Sequence, residues 1–282
     1  MSAIHPAAAS NLLWTSLPCS FALNGARWRL AGSEFGAVAN TVPPLITGAQ
    51  PIPANNCFKN EAKRKVFQLQ GAHPSPLLAK SFCLDTLRQR LRHRRYAFNE
   101  ALHLIVARKR GLNVPRVFGY GTGFCQLLPT WVAVLMEYLP YPSMRDEFLR
   151  TPDELTIWGL LQRAVPSFRQ LYLTGCNHID FGPHAILLSP AGAENDVLID
   201  FQYAAFTSRP NPRILAAQLG YFGWAVGVNR NWVGREMLEQ WYGEVLRELA
   251  IQPDDEIRAI IAQSAARRRS TTERLMGYPD TG

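Results

Sequence analysis

Two short apolar segments, each carrying an aspartate, constrain the fold of this chain more than any other feature. The first runs from His178 to Leu188 and begins with the triplet His-Ile-Asp, and the second, Val197–Phe201, places Asp200 directly after Val-Leu-Ile. An aspartate among apolar residues is costly to bury unless a cation or hydrogen-bond donors satisfy its carboxylate. The pattern predicts a loop that presents Asp180, a short hairpin, and a second strand that ends in Asp200.

The composition is that of a globular protein with a sizeable core. The chain has 282 residues, of which 47% are hydrophobic and 18% are charged, and this balance excludes a disordered chain. Its five cysteines are scattered and never spaced as Cys-x-x-Cys. We therefore expect neither a disulfide framework nor a zinc site, and we expect a reducing compartment. No Lys or Arg precedes the apolar patch around Leu12–Leu23, so no secretion signal is expected.

The net charge of +8 favours acidic partners. Much of the excess lies in three arginine-rich clusters, at residues 88–95, 108–110 and 267–269. Such clusters suit solvated helix faces, and they equally suit peripheral contact with an anionic membrane surface. Single-stranded nucleic acid is disfavoured as a partner, because only Tyr96 and Phe98 supply aromatic rings near the arginines. We expect a cytoplasmic protein whose basic patches allow contact with the inner face of a membrane.

Strand patterns dominate the first half of the chain and helix patterns the second. Residues 1–56 are rich in Ala, Ser, Pro and Asn, and we interpret them as an irregular N-terminal segment in which Phe21–Leu30 is suited to one strand. Residues 57–139 hold strands and one long helix, from about Leu84 to Arg110, and the prolines of Leu139–Pro142 mark a boundary. Residues 140–282 are mainly helical. This order predicts an α+β fold with a sheet-rich N-lobe, a helical C-lobe and a ligand cleft between them.

Four charged residues supply the groups that phosphoryl transfer requires: cations for the phosphates, a carboxylate for a metal, and a group that orients the acceptor hydroxyl. Lys80, on a predicted strand, can reach phosphates, and Glu100, twenty residues later on the long helix, can hold it by an ion pair. Asp180 can accept the hydroxyl proton, and Asp200 can bind Mg²⁺. Each residue alone has a simpler explanation as a surface or turn residue. Their joint order and spacing favour the functional interpretation.

The segments that carry these residues resemble the lipopolysaccharide kinase family, the Kdo and heptose kinases that are relatives of protein kinases. The resemblance covers about Phe58 to Tyr203. Its motifs in the first half of the chain are a basic hairpin (Phe58–Val66), the strand with the lysine (Leu78–Phe82), the helix with the glutamate (Arg95–Ala101) and the strand before the hinge (Leu135–Leu139). Those in the second half are the two aspartate segments, His178–Asp180 and Ile199–Phe201. The resemblance implies a two-lobed protein-kinase-like fold.

The resemblance also implies ATP and Mg²⁺ as cofactors, and hence a nucleotide as a partner. The residues that it assigns are Asp180 and His178 for catalysis, Lys80, Glu100, Glu137 and Lys59 for the nucleotide, and Asp200 for the metal. The implied acceptor is a hydroxyl of an anionic sugar or of a lipopolysaccharide-type glycolipid. Lys59 lies in the basic hairpin, which is suited to clamp phosphates or to meet such an acceptor.

One departure from the family pattern bears on activity. Five residues after Asp180, where the pattern has a metal-binding Asn, this chain has Ala185, and Ile179 replaces a small Gly between His and Asp. Ala185 offers no oxygen to a metal, and the neighbouring His184 is a poor ligand for Mg²⁺. The alternatives that stay open are transfer supported by one Mg²⁺ on Asp200, a pseudokinase that binds nucleotide without turnover, a small-molecule or protein kinase, and a basic scaffold that binds no nucleotide.

Overall fold

The computed structural model describes residues 12–23, 25–70, 76–125, 128–150, 153–270 and 273. These residues divide into two compact units. The sheet unit holds the described residues up to 108 together with 115–140, and the helical unit holds 109–114 and the described residues from 141 onward. No helix in the described ranges is long and apolar enough to cross a membrane.

The sheet unit is built on an antiparallel sheet whose described residues form seven strands, in the order β1-β2-β6-β7-β5-β4-β3. The strands are β1 (Cys19–Leu23), β2 (Ala26–Leu30), β3 (Cys57–Glu61), β4 (Arg64–Leu69), β5 (Leu77–Cys83), β6 (Val117–Cys125) and β7 (Leu128–Glu137). Residues 131–136 of β7 are buried throughout, which suits a strand that lies between β5 and β6 at the centre of the sheet.

The expectation of an irregular segment over residues 1–56 is wrong for the described part of that segment. Residues 12–16 form a short helix (α1), β1 and β2 extend the sheet beside β6, and Gly36–Thr47 forms helix α2. One face of α2 is buried with β2 in the hydrophobic core of the sheet unit. This burial outweighs the helix-breaking tendency of Pro43 and Pro44, which lie near the end of α2.

The long helix expected from about Leu84 to Arg110 is two helices. The first, α3 (Leu87–His93), begins at a capping box formed by Thr86 and Gln89, and α4 (Tyr96–Lys109) follows after a two-residue turn. The leucines of α3 are exposed, whereas most apolar residues of α4 are buried. Only α4 has a complete apolar face to bury, so the chain bends between the two helices.

Helices make up most of the helical unit. They are α5 (Met144–Arg150), α6 (Glu154–Leu173), α7 (Pro212–Gly223), α8 (Arg235–Glu248) and α9 (Asp255–Ala266), and a π-helical turn, Trp224–Val228, continues α7. The short strands β8 (Cys176–Asn177) and β11 (Ala205–Phe206) pair with each other, as do β9 (Ile186–Leu187) and β10 (Val197–Leu198). The second pair is the hairpin that the sequence predicts before Asp200.

An aromatic cluster forms the centre of the helical unit. The ring of Phe168 on α6 meets the rings of Phe181, Phe222 and Trp241 edge to face, with centroid separations of 4.9, 5.5 and 5.3 Å. All four side chains are completely buried. Because Phe181 follows Asp180 directly, the cluster fixes the loop that carries Asp180 to the core.

An ion pair between the half-buried Arg163 and the buried Asp196 joins α6 to the residue that precedes β10. Arg163 donates to both carboxylate oxygens of Asp196, from Nε at 2.9 Å and from Nη2 at 2.7 Å, and the backbone N–H of Ser189 donates to Asp196 Oδ1 at 2.7 Å. The hydrogen bond to Asp196 raises the pKa of the Arg163 guanidinium. Asp196 is 1% exposed, so these donors replace water at its carboxylate.

We expect Asp196→Ala to lower the free energy of unfolding by about 2 kcal/mol, because Arg163 and the amide of Ser189 lose their charged hydrogen-bond partner while Arg163 keeps partial access to water. Glu239→Ala is the matched control, since Glu239 pairs with Arg235 on the exposed face of α8 and such pairs contribute little to stability. Urea unfolding followed by tryptophan fluorescence measures both changes. Equal losses in the two variants would contradict the interpretation of the pair of Arg163 and Asp196.

Candidate active site

A buried ion pair joins β5 to α4 in the sheet unit. Lys80 Nζ lies 2.7 Å from Glu100 Oε1, and the two side chains are 8% and 1% exposed. The structure therefore brings together two residues that the sequence pairs, a lysine on a strand and a glutamate on the following helix. Removing both charges from water costs several kcal/mol, which their attraction only partly offsets, so a pair of this kind is weak evidence for a role in stability.

The sheet holds Lys80 in a fixed position. Within β5, Lys80 lies opposite Val66 of β4 on one side and Val134 of β7 on the other. Its Nζ also lies 5.8 Å from the centre of the Phe82 ring. The sheet therefore fixes the backbone of Lys80, and Glu100 and the Phe82 ring limit the freedom of its ammonium group.

The other two residues predicted to bind the nucleotide make local contacts. Glu137, the last residue of β7, accepts a hydrogen bond from the backbone N–H of Arg116 at 3.1 Å. Lys59, on β3, pairs with Glu61 of the same strand at 3.0 Å, and the Lys59 side chain is 34% exposed. Because so exposed a pair contributes little to stability, Lys59 can exchange Glu61 for another anion at small cost.

The helical unit presents Asp180 from a tight loop after β8. The backbone N–H of Phe181 donates to the carbonyl of His178 at 3.1 Å, and a 3-10 turn follows at Pro183–Ala185. Phe181 is completely buried, whereas Asp180 is half-buried. The buried Phe181 thus anchors the loop in the core, and the neighbouring Asp180 stays partly accessible to solvent.

His178 lies beneath this loop. Its Nε2 donates to the carbonyl of Ile199 at 2.8 Å, and its ring packs edge-on against Phe181 and Phe201 at centroid distances of 5.4 and 4.7 Å. Burial lowers the pKa of the imidazole to about 4, so the ring is neutral at pH 7. The side chain is 1% exposed, and it connects the loop of Asp180 to the strand end before Asp200.

Asp200 has a left-handed backbone, with φ 68° and ψ 45°. Among the non-glycine residues that the structure describes, only Asn231 and Ala250 share a positive φ. This conformation costs an aspartate on the order of 1 kcal/mol, and residues held in it cluster at functional sites. It turns the chain sharply at the end of the hairpin, so that Phe201 enters the core directly after the carboxylate.

The loop that carries Asp180, residues 178–185, is the candidate catalytic loop, and the strand end before Asp200 is hydrogen-bonded to it through both backbone groups of Ile199. The N–H of Ile199 donates to the carbonyl of Ala185 at 3.0 Å, and its own carbonyl accepts from His178. The side chain of Ala185 is completely buried. The position at which the family pattern has an Asn therefore contributes a backbone acceptor and an apolar methyl group, and no side-chain oxygen.

The described residues fit a magnesium ion that is held mainly by phosphate. They contain no cluster of three or more His, Cys, Asp or Glu side chains that could hold a metal by itself. Mg²⁺ at nucleotide sites takes one or two carboxylates together with phosphate oxygens and water, so Asp200 suffices as its protein ligand. In addition, Gln202 Oε1 is buried without a hydrogen-bond partner among the described residues, and amide oxygens suit Mg²⁺.

Arg269, which the sequence does not single out from its cluster, contacts the catalytic loop. Arg269 is 8% exposed, and its guanidinium donates to the carbonyls of Ile179 and Ala217 and lies 4.9 Å from the centre of the Tyr221 ring. Arg267 and Arg268, in contrast, are exposed, as expected for a solvated cluster. No local pattern marks Arg269, because its carbonyl partners lie 90 and 52 residues away in the chain.

The buried His178 predicts a loss of stability in acid. The unfolded chain takes up a proton on this residue near pH 6.5, whereas the folded protein does so only near pH 4. Because the unfolded state then binds more protons, the free energy of unfolding falls between pH 6.5 and 4, by roughly 3 kcal/mol in total. Urea unfolding at pH 7.0 and 5.0 should show a smaller loss for His178→Gln than for the parent. Equal losses would exclude His178 as the source.

Comparison with solved structures places these features in a known fold. The chain is similar to "WaaP in complex with acyl carrier protein", with a TM-score of 0.50 and 16% identity over 85% of this chain and 98% of that chain. The crystal structure of WbdD is also similar, with a TM-score of 0.46 and 18% identity. The match covers 88% of this chain and 59% of the WbdD chain. No family model and no curated protein matches the sequence.

Identities this low establish the fold alone. The chain has the kinase-like α+β fold of WaaP, with a sheet-rich N-terminal part and a helical C-terminal part. The fold class predicted from the sequence is therefore confirmed.

Proposed function

We propose that this protein is an ATP- and Mg²⁺-dependent phosphotransferase whose acceptor is a hydroxyl on a sugar of a lipopolysaccharide-type glycolipid. The observation that carries the proposal is the buried ion pair between Lys80 and Glu100. A kinase-like fold alone does not imply activity. A buried pair of this kind contributes little net stability. It lies on the strand and helix where kinases place their phosphate-binding lysine, so nucleotide binding best explains it.

In this proposal the sheet unit binds the nucleotide. Lys80 binds the α- and β-phosphates, and Glu100 holds its ammonium group in place. Lys59 exchanges its pairing with Glu61 for a phosphate oxygen. The backbone at Glu137, where β7 ends, takes the adenine, and the hydrogen bond between the Glu137 carboxylate and the N–H of Arg116 fixes that strand end.

The helical unit supplies the two carboxylates. Asp180 accepts the proton of the acceptor hydroxyl while the hydroxyl oxygen bonds to the γ-phosphorus and the bond to ADP breaks. Asp200 holds Mg²⁺, which when bound neutralises the charge on the phosphate oxygens. His178 is a positioning residue and not a proton acceptor, because its neutral, buried ring holds the loop of Asp180 against the strand end before Asp200.

The acceptor class follows from the resemblance of the motifs to the lipopolysaccharide kinases and is supported by the shared fold. A small-molecule or protein kinase would use the same nucleotide residues with another acceptor. A cytoplasmic site next to a membrane suits a glycolipid acceptor. Leu87 and Leu91 of α3 are 69% and 64% exposed within the arginine cluster at 88–95, which favours contact with an anionic membrane surface.

A second candidate function is a pseudokinase that binds nucleotide without turnover. The observation that favours it is Ala185, whose buried methyl group stands where the family pattern has an Asn that binds metal. Loss of this ligand removes one of the two metal contacts that the protein would offer. Nucleotide binding through Lys80 and Asp200 is common to both candidates, and only turnover separates them.

We expect ATP with Mg²⁺ to raise the melting temperature of the protein. Binding at an ATP concentration of about 100 times the Kd stabilises the folded state by about 2.7 kcal/mol, which corresponds to a shift of several degrees. In Asp200→Asn the additional shift caused by Mg²⁺ should be lost, because the amide carries no charge to hold the ion. Asp255→Asn, at an exposed position of α9, should retain it.

A thermal-shift titration with ATP in Mg²⁺ and in a chelator measures these effects. If ATP produces no shift under either condition, both the kinase and the pseudokinase proposals are wrong. If Asp200→Asn responds to Mg²⁺ as the parent does, Asp200 is not the metal ligand.

Turnover is expected to depend on Asp180. In an ATP-consumption assay with lipopolysaccharide extract, Asp180→Asn should lower the rate by about 10²–10⁴-fold while leaving the ATP-induced thermal shift intact, because the amide cannot accept the hydroxyl proton. Asp255→Asn should be as active as the parent. A parent without turnover that gains it in Ala185→Asn would identify a degenerate kinase, and an active Asp180→Asn would contradict the assigned role.

A further inference from the structure

A pocket of about 270 Å³ lies beside the catalytic loop in the helical unit. Pro183 and His184, which follow Asp180 in the loop, form part of its wall, and the π-helical turn after α7 contributes Trp224 and Ala225. A π-helical turn inserts an extra residue into a helix and is frequent at functional sites. The catalytic loop and the pocket thus share a wall.

Three arginines line the pocket, and they come from separate parts of the chain: Arg145 from α5, Arg230 after the π-helical turn, and Arg268 after α9. The lining found among the described residues includes no Asp or Glu. Among the residues that the structure describes, none of the three guanidinium groups forms an ion pair with a carboxylate. Like charges gathered without a counter-charge are unfavourable, so the pocket favours an anion.

Ring stacking orders the wall of the pocket. Trp232 lies parallel to Phe148, with an angle of 5° and a centroid separation of 5.3 Å, and the guanidinium of Arg230 lies 5.9 Å from the Trp232 ring. Trp224 stacks on Tyr221 at 5.3 Å. These contacts hold the side chains before any ligand arrives, which reduces the entropic cost of binding.

Arg268 is held at the pocket by its neighbour. Arg269 is buried and donates to the carbonyls of Ile179 and Ala217, so the segment after α9 is bound to the catalytic loop one residue before Asp180. Arg268 itself is exposed and lines the pocket. The arginine cluster near the end of the chain is therefore divided, with one member that anchors the segment and one that faces the pocket.

The chemistry of this lining matches a sugar that carries a negative charge. Arginine binds phosphate and carboxylate groups through paired, charge-assisted hydrogen bonds. Indole rings offer flat apolar surfaces that suit the C–H face of a sugar ring. A volume of about 270 Å³ is at the small end for ligand pockets, which favours one sugar residue with its anionic group.

We propose that this pocket receives the acceptor, and that the acceptor sugar already carries a phosphate or carboxylate group before transfer. The assignment as acceptor rests on the proposed kinase function, whereas the preference for an anionic sugar rests on the three arginines and the tryptophans. It follows that a reaction that phosphorylates the sugar or introduces its carboxylate must precede the one catalysed here.

The test is a titration of the full-length protein without nucleotide, by calorimetry and by tryptophan fluorescence, with glucose 6-phosphate, glucuronate, glucose and inorganic phosphate as probes. We expect the two anionic sugars to bind more tightly than glucose and inorganic phosphate, and the stronger of the two identifies the anionic group. Arg230→Gln and Arg268→Gln should each weaken that binding by about tenfold, the effect of losing one charge-assisted hydrogen bond. Arg258→Gln, at an exposed position on α9 outside the pocket, is the matched control and should bind as the parent does.

Four results would overturn the proposal: no binding of either anionic sugar, equal binding of glucose, equal binding of inorganic phosphate, or binding that Arg230→Gln and Arg268→Gln leave unchanged. The titration needs no turnover, so its failure can be told apart from failure of the kinase proposal. A protein that consumes ATP but binds anionic sugars independently of these arginines contradicts the pocket alone. A protein that binds them here but never binds ATP contradicts the kinase function alone.

Discussion

The two backbone hydrogen bonds of Ile199 are the interactions on which the candidate site in the helical unit depends. They bind the strand end before Asp200 to Ala185 on one side and to the imidazole of His178 on the other. Because the next residue has a strained, left-handed backbone, the position of its carboxylate depends on these two bonds. The imidazole packs between Phe181 and Phe201 and is neutral at pH 7, because burial lowers its pKa more than the nearby Asp200 carboxylate raises it.

Buried charges in this protein are compensated in three different ways. Asp196 has a bidentate arginine and a backbone donor, which replace all the water that it loses. Arg269 has carbonyl groups and an aromatic ring, so it connects distant segments. Lys80 and Glu100 compensate each other's charge directly, at 2.7 Å, across β5 and α4. The three arginines that line the pocket contrast with all of these, because they are exposed and water compensates their charge.

Sequence patterns predicted those strands and helices whose formation depends on residues close together in the chain. The hairpin before Asp200, the strand of Lys80 and the helix of Glu100 follow from local alternation and periodicity, and the structure contains all three. A single strand at Phe21–Leu30 was expected where the structure has the hairpin of β1 and β2. Helix α2 was not predicted, because prolines and small residues mask a face that only burial against the sheet stabilises. The break between α3 and α4 was missed for a related reason. The arginine-rich sequence favours a helix throughout, but only α4 packs against the core.

The sequence by itself determined the strand of Lys80, the helix of Glu100 and the hairpin before Asp200, because side-chain type and local periodicity are properties of short segments. The tertiary structure alone decided which charges are buried. Within one run of three arginines it placed Arg269 against the catalytic loop and Arg268 at a pocket, and it buried His178 so that the ring is neutral. Burial depends on residues that lie far apart in the chain, and no local pattern specifies them.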